Sequence, residues 1–169
     1  MKFKKIILMM MSIFVLAGCS SVDLGGTNIN KKTGCNRDKF IAAVEKADVK
    51  VSEELKDEMG FNDENLDLLI EDTEVAMNKD RDLIFMYFDL KSEAYAELVG
   101  DAMLTMLQEE YPEIDGMLKE TKGDNYLTKE TDITGLYMNI SRVDDTLLIS
   151  LGAENNAKVA KEVAQELGY

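Results

Sequence analysis

The sequence predicts an α+β domain, a two-layer sandwich in which helices pack mainly on one face of an antiparallel sheet. Residues 74–110 and 134–167 share the order strand, turn, strand, helix, and another helix precedes the first of these units. Short turns between paired strands indicate antiparallel neighbours, and apolar residues at helical spacing give each helix one face to bury. Two such units therefore favour a single sheet with helices laid against it.

The clearest local signal is a hairpin near the C-terminus, where apolar residues alternate with others on both sides of residues 144–145. A two-residue turn at this aspartate pair sets Ile140 opposite Ile149. The same register sets Met138 opposite Leu151, so all four side chains share one face. Asp tolerates the left-handed backbone that such a turn demands.

A helix and a short strand are expected before the first hairpin. Asn36 can cap a helix whose apolar residues recur at helical spacing, namely Phe40, Ala43, Val44 and Ala47. Val49 and Val51 then alternate as a short extended piece. The acidic residues 53–74 follow, with apolar side chains spaced as on short helices.

The first hairpin is predicted from residues 75–78 and 82–90. The second of these strands is apolar on both faces, which is typical of a strand covered on both sides. Ser92 can cap a long helix that runs through Glu110, and Pro112 ends it.

The last third begins with a polar crossover at residues 121–125 and an edge strand at residues 126–130. After the C-terminal hairpin, a final helix is expected over residues 156–167, and Gly168 supplies its stop. Its inward residues are Ala157, Ala160, Val163, Ala164 and Leu167.

The N-terminus has the composition of an export signal. Three lysines stand in the first five residues, and the apolar run that follows is about a dozen residues, shorter than the ~20 of a membrane-spanning helix. The run ends in Leu16-Ala17-Gly18-Cys19, which resembles the lipobox of bacterial lipoproteins.

The lipobox resemblance implies a lipid anchor. Signal peptidase II would recognise Leu16, Ala17 and Gly18 and remove residues 1–18, and Cys19 would carry a diacylglyceryl thioether and an N-acyl chain. The Gly-rich residues 19–36 would then form a flexible tether, and residues 37–169 a single domain on the extracytoplasmic face of the cell membrane.

Three short patterns in the last 90 or so residues carry a second resemblance. They are Asp124-Asn125-Tyr126, Ser141-Arg142-Val143-Asp144-Asp145-Thr146 and Leu167-Gly168-Tyr169. They resemble small lipoproteins of low-GC Gram-positive bacteria, a group without assigned chemistry. The resemblance implies a cell-surface protein and adds no active site.

The charge of the chain excludes some partners. Without residues 1–18 its 19 basic side chains fall to 16 while 33 acidic ones stay, so the formal net charge goes from −14 to −17. Nucleic acid and an anionic leaflet would both repel such a chain. Membrane contact is therefore expected through the lipid alone.

Catalytic motifs are missing from the sequence. It contains no His, which excludes Ser-His and Cys-His pairs, and no phosphate-binding Gly-rich loop. We therefore expect a binding or interaction module with no bound cofactor rather than an enzyme. A carboxylate-dependent hydrolase of wall polymers is an alternative, although 33 acids give no way to choose two.

A calcium-binding surface protein is the first alternative, because residues 63–74 resemble an EF-hand loop. Oxygen ligands fall at its positions one, three, five, nine and twelve, which are Asp63, Asn65, Asp67, Glu71 and Glu74. Leu68 stands where the loop needs Gly, at a cost of about 1–2 kcal/mol. The competing interpretation is a helical turn that buries Leu66, Leu69 and Ile70.

Three further features leave alternatives open. Cys35 is either a tether residue or the source of an intermolecular disulfide. Arg142 either binds a carboxylate ligand or pairs with an acid, from the neighbouring turn or from a helix. The aromatic residues Phe85, Tyr87 and Phe88 either pack in the core or line a groove.

Overall fold

The structure is a computed structural model that describes residues 31–61, 66–133 and 135–169. Within these ranges the chain forms a seven-stranded antiparallel sheet, ordered β1-β2-β3-β7-β6-β5-β4. Its strands are β1 Val49–Val51, β2 Ile70–Asn78, β3 Leu83–Leu90, β4 Lys119–Lys122, β5 Tyr126–Ile133, β6 Leu136–Val143 and β7 Thr146–Gly152. The α-helices are α1 Arg37–Lys46, α2 Glu53–Glu58, α3 Glu93–Glu110 and α4 Ala157–Leu167. Short 3₁₀ turns lie at Leu66–Leu68, Pro112–Ile114 and Glu154–Asn156.

The α+β class and the antiparallel sheet are confirmed, and so is the register of the C-terminal hairpin. Ile140 lies opposite Ile149 and Met138 opposite Leu151. The two-residue turn follows directly, with Asp144 in the left-handed region at a φ of 51°. The alternating pattern was therefore sufficient to fix this pairing.

The helix starts are also confirmed. The Asn36 side chain accepts a hydrogen bond of 3.0 Å from the Lys39 amide at the start of α1. Ser92 accepts one of 3.3 Å from the Tyr95 amide at the start of α3. Both side chains satisfy amides that have no partner inside the helix. The five inward residues predicted for α4 are all buried, and Gly168 ends that helix at a φ of 88°.

Helices cover both faces of the sheet, whereas the sequence predicted them mainly on one. Helix α3 packs on the face that carries Ile84, Met86 and Phe88, and α1 and α4 pack on the face that carries Phe85 and Tyr87. Strand β3 is apolar on both faces, so both faces of the sheet must be buried against helices. The result is three layers, with the sheet in the middle.

The start of strand β2 and the position of strand β5 in the sheet differ from the prediction. Strand β2 begins at Ile70, inside the segment expected to be helical, because residues 72–77 pair with β3. Strand β5 is not an edge strand, since β4 lies outside it. Strand β4 has no buried residue and so carries no hydrophobic alternation that could mark it in the sequence.

In the part of the chain that the structure describes, no helix combines the length and the apolar character required to cross a membrane.

Candidate functional site

The chain enters the domain through residues 32–35, here called the entry segment, which lie against one end of the sheet. The Lys32 amide donates to Asn125 Oδ1 at 3.0 Å, and Asn125 Nδ2 donates to the Lys32 carbonyl at 2.9 Å. One buried amide side chain thus satisfies both backbone groups of Lys32.

The turn between β6 and β7 holds Asn125 in place. Its Nδ2 also donates to Asp144 Oδ2 at 3.0 Å, and the Asp144 amide donates to the Asn125 carbonyl at 2.8 Å. The carboxylate therefore fixes which way the Asn125 amide points. We call the surface formed by Asn125, the turn at residues 144–145, Thr146, Gly168 and Tyr169 the docking end of the sheet.

Two glycines let the backbones approach closely at the docking end. A Cβ on Gly34 would lie 2.5 Å from Thr146 Oγ1, which itself donates to the Val143 carbonyl. A Cβ on Gly168 would collide with the carbonyl oxygen of Thr33. A side chain on Gly168 would push the entry segment away, whereas one on Gly34 would either displace the segment or turn the Thr146 hydroxyl out of its hydrogen bond.

Cys35 ends the entry segment as a buried side chain, 5% exposed. Its carbonyl accepts a hydrogen bond of 3.1 Å from the Tyr87 hydroxyl, and its thiol lies 4.0 Å from the Tyr169 hydroxyl. Burial raises the pKa of the thiol to about 11 and raises the pKa of both tyrosines above the ordinary value. Neither open interpretation of Cys35 fits, because the side chain is neither part of a tether nor accessible for a disulfide.

The tether prediction for residues 19–36 is therefore wrong over residues 32–36. These residues lack periodicity because they belong to neither a helix nor a strand, and their partners lie 93 and 134 positions away in the sequence. The three patterns that resemble Gram-positive lipoproteins converge on this segment, through Asn125, Thr146 and Gly168. The predicted lipidation site Cys19, together with Leu16, Ala17 and Gly18, lies outside the described residues.

Acidic side chains surround the docking end. Asp89 lies opposite Asp72 on β2 and opposite Thr146 on β7. Burial raises the pKa of Asp89, and the neighbouring charges of Asp145, Glu71 and Asp72 raise it further. A cluster of acidic side chains thus lies at the end of the sheet that receives the entry segment.

An ion pair between a buried carboxylate and a half-exposed arginine joins α1 to the sheet just beyond the entry segment. Glu74 on β2 is fully buried, and its Oε1 lies 2.5 Å from Arg37 Nε and 4.0 Å from Lys56 Nζ. The hydrogen bond to Glu74 raises the pKa of Arg37, which also lies 3.5 Å from Asp72 Oδ2. Glu74 Oε2 has no hydrogen-bond partner among the described residues.

The predicted calcium ligands do not form a loop in the described part of the chain. Glu71 and Glu74 belong to strand β2, and Asp67 lies in the 3₁₀ turn before it. Asp63 and Asn65 lie outside the described residues. Among the residues described, no group of three or more acids or cysteines is arranged to hold a metal ion. Leu66 and Ile70 are buried and Leu69 is partly buried against the same core, as the competing interpretation expected. The helical turn is the short 3₁₀ turn Leu66–Leu68, and Ile70 already begins strand β2.

Arg142 pairs with a helix acid, which was one of its two expected roles. Its Nη1 donates to Glu93 of α3, and beside it Lys129 Nζ lies 3.0 Å from Asp101 Oδ1. The Arg142 Nε is buried without a hydrogen-bond partner among the described residues. The cleft beneath α3 here encloses about 20 Å³, room for about one water molecule.

The aromatic residues Phe85, Tyr87 and Phe88 are core residues, each without exposed surface. Tyr87 stacks on Phe40 of α1 with ring centroids 5.4 Å apart. The large apolar side chains exposed in the described ranges are Leu68 and Met117, so these ranges present isolated apolar residues rather than an aromatic groove.

No protein-family model matches the sequence, and no curated protein matches it. A match among solved structures is the crystal structure, at 1.75 Å resolution, of a GTP binding regulator from Thermotoga maritima. The two chains are 14% identical, the match covers 78% of this chain and 86% of that one, and the TM-score is 0.43. A likeness this distant carries no information about function.

Proposed function

We propose that the protein is a lipoprotein held on the extracytoplasmic face of a bacterial cell membrane by acyl chains on Cys19, with its α+β domain acting as a binding or interaction module. The lipobox tetrapeptide at residues 16–19 carries this proposal. The docked entry segment fits it, because Lys32, thirteen residues after Cys19, is held at one end of the sheet.

The binding role is favoured by what the domain does with its reactive groups. The sequence has no His, and burial keeps the Cys35 thiol protonated near neutral pH. The buried carboxylate of Glu74 is committed to Arg37. These groups stabilise the fold, so we assign the binding role to the exposed surface of the domain.

Acylation is tested on the native protein, because the chain offers a matched pair of cysteines. We expect mass spectrometry of the membrane fraction to find a mature N-terminus at Cys19 that carries acyl chains. Cys19→Ser should keep the leader or release the protein, and Cys35→Ser should leave the acylation unchanged. A bare Cys19 thiol, or a native protein with its leader intact, overturns the proposal.

The binding role is tested by thermal shift against purified wall fragments, amino acids and short peptides. A ligand of the folded domain raises the melting temperature in proportion to the logarithm of its concentration. A flat response across these classes contradicts a small-molecule binding role.

A carboxylate-dependent hydrolase is the second candidate, because one acid with a raised pKa beside others is the arrangement that such enzymes use. Asp89, with Asp72 and Asp145 near it, has this character. Release of reducing ends from wall polymers, lost in Asp89→Asn, would support the hydrolase. No release removes it.

A further inference from the structure

We propose that the docked entry segment orients the anchored domain, so that the docking end faces the membrane and the opposite end of the sheet faces outward. The inference rests on the proposed function in one respect, which is that Cys19 carries the anchor. It goes beyond that function because it names the surface that an external partner meets.

The first step is the length of chain between anchor and domain. Thirteen peptide units separate Cys19 from Lys32, and a fully extended chain of that length spans at most about 45 Å. A random coil of the same length has a root-mean-square span of about 20 Å. Lys32 is fixed by Asn125, so the docking end always lies within this reach of the anchor.

The second step is the length of the sheet. Strand β6 has eight residues and spans about 25 Å, which separates the docking end from the opposite end. The opposite end carries the β2–β3 turn at residues 79–82, Gly135, and the 3₁₀ turn Glu154–Asn156. The outer end can point at the bilayer, with the docking end outward, only when the connecting chain spans about 25 Å or more, which exceeds the root-mean-square span of a random coil of that length.

The third step is charge. The docking end carries Asp72, Asp89 and Asp145, and an anionic leaflet repels them over about 8–10 Å at physiological salt. Several bases also lie near this end. Arg37 is paired with Glu74, Arg142 is paired with Glu93, and the Lys32 ammonium lies 4.5 Å from the ring centroid of Tyr126. The docking end therefore faces the membrane without lying on it, and the outer end meets partners first.

The orientation is measured by energy transfer with a lipid attached chemically. In the mature chain, residues 19–169, a maleimide phospholipid reacts with Cys19 while burial protects Cys35. Lys79 at the outer end, or Lys122 near the docking end, is replaced by an azide-bearing residue that takes the donor dye. Both lysines are exposed, so the two labels remove the same charge from comparable positions. The acceptor is a headgroup dye in phosphatidylcholine vesicles.

We expect more transfer from position 122 than from position 79, with a difference equivalent to about 25 Å of separation. Equal transfer from both positions, or more from position 79, overturns the orientation. Adding about 30% phosphatidylglycerol should lower transfer from position 122, and about 1 M salt should restore it, since the Debye length falls to about 3 Å. Unchanged or higher transfer on the anionic vesicles overturns the repulsion.

The role of the entry segment is tested by the double variant Gly34→Ala with Asn125→Ala, which removes the close approach and both hydrogen bonds to Lys32. The difference between positions 79 and 122 should shrink. Asn155→Ala, an exposed change at the outer end, should leave it intact. If the double variant is folded and the difference in transfer between positions 79 and 122 does not shrink, the entry segment does not orient the domain. If the double variant unfolds, the wild-type comparison of positions 79 and 122 still tests the orientation. Because the lipid is attached chemically, the result is independent of acylation in the cell.

Discussion

The ion pair between Arg37 and Glu74 gives the sharpest stability prediction. In the described part of the chain, Arg37→Ala leaves the fully buried Glu74 carboxylate with Lys56, at 4.0 Å, as its remaining ion-pair partner. Removing one partner of a buried pair costs about 3–5 kcal/mol. The Arg37 side chain is 45% exposed, so water partly replaces it, and we expect a loss of about 1.5–3 kcal/mol.

The matched control lies at the other end of the same helix. Lys46 pairs with Glu166 at 2.9 Å, and the two side chains are 71% and 47% exposed. Such a surface pair contributes about 0–1 kcal/mol, so Lys46→Ala should cost no more than that. Urea unfolding followed by circular dichroism measures both changes.

A double-mutant cycle isolates the cause. Glu74→Gln puts a neutral amide in the buried position, which does not require a cation beside it. In that background Arg37→Ala should cost at least about 1 kcal/mol less than in the wild type. Equal costs in the two backgrounds, or equal costs for Arg37→Ala and Lys46→Ala, would refute the reasoning.

Four further predictions follow from the docking end and the strand assignment. Gly168→Ala should lower the free energy of unfolding in urea by about 2–4 kcal/mol and abolish docking of the entry segment. Gly116 has a similar positive φ but open space around it, so Gly116→Ala should lower that free energy by about 1–2 kcal/mol. Cys35, with a pKa of about 11, should resist a thiol reagent at pH 8 in the native protein and react at once in guanidinium, and rapid native labelling would contradict its burial. Asp89→Asn should stabilise the protein at pH 7, because the raised pKa of Asp89 means that its ionised form disfavours the native state. The gain in stability over the wild type should vanish as the pH falls below about 4, where Asp89 is protonated in both states. A gain that does not depend on pH would contradict this prediction. Millimolar Ca²⁺ should leave the melting temperature unchanged, because Arg37 already holds Glu74; a rise that Glu74→Gln abolishes would restore the calcium hypothesis.

The parts of the fold that sequence predicts are those whose partners are close in the chain. The hairpin around residues 144–145 and the helix α4 follow from alternation and helical spacing. Strand β4 escapes prediction because both of its faces are exposed. The acidic start of β2 is misassigned because its pairing with β3, rather than its own spacing, decides its conformation.

The candidate site is less predictable than the fold. Each residue that holds the entry segment is unremarkable in isolation: an Asn in a loop, a Thr after a turn, a Gly that ends a helix. Only the closed fold brings Asn125 and Gly168 to the chain around residue 33. The two glycines were the available signal, since each marks a place where a backbone comes close.

The strand order also sets when folding can finish. Strand β3 is complete at Leu90, but its second neighbour, β7, starts at Thr146, which is 56 residues later. Until β7 has been synthesised, the β2–β3 hairpin exposes the free edge of β3. The backbone N–H and C=O groups along this edge have no partners and lie beside apolar side chains, and such a surface drives aggregation. A truncated chain ending before residue 146 should therefore be insoluble, because β3 then lacks the strand that covers its second edge.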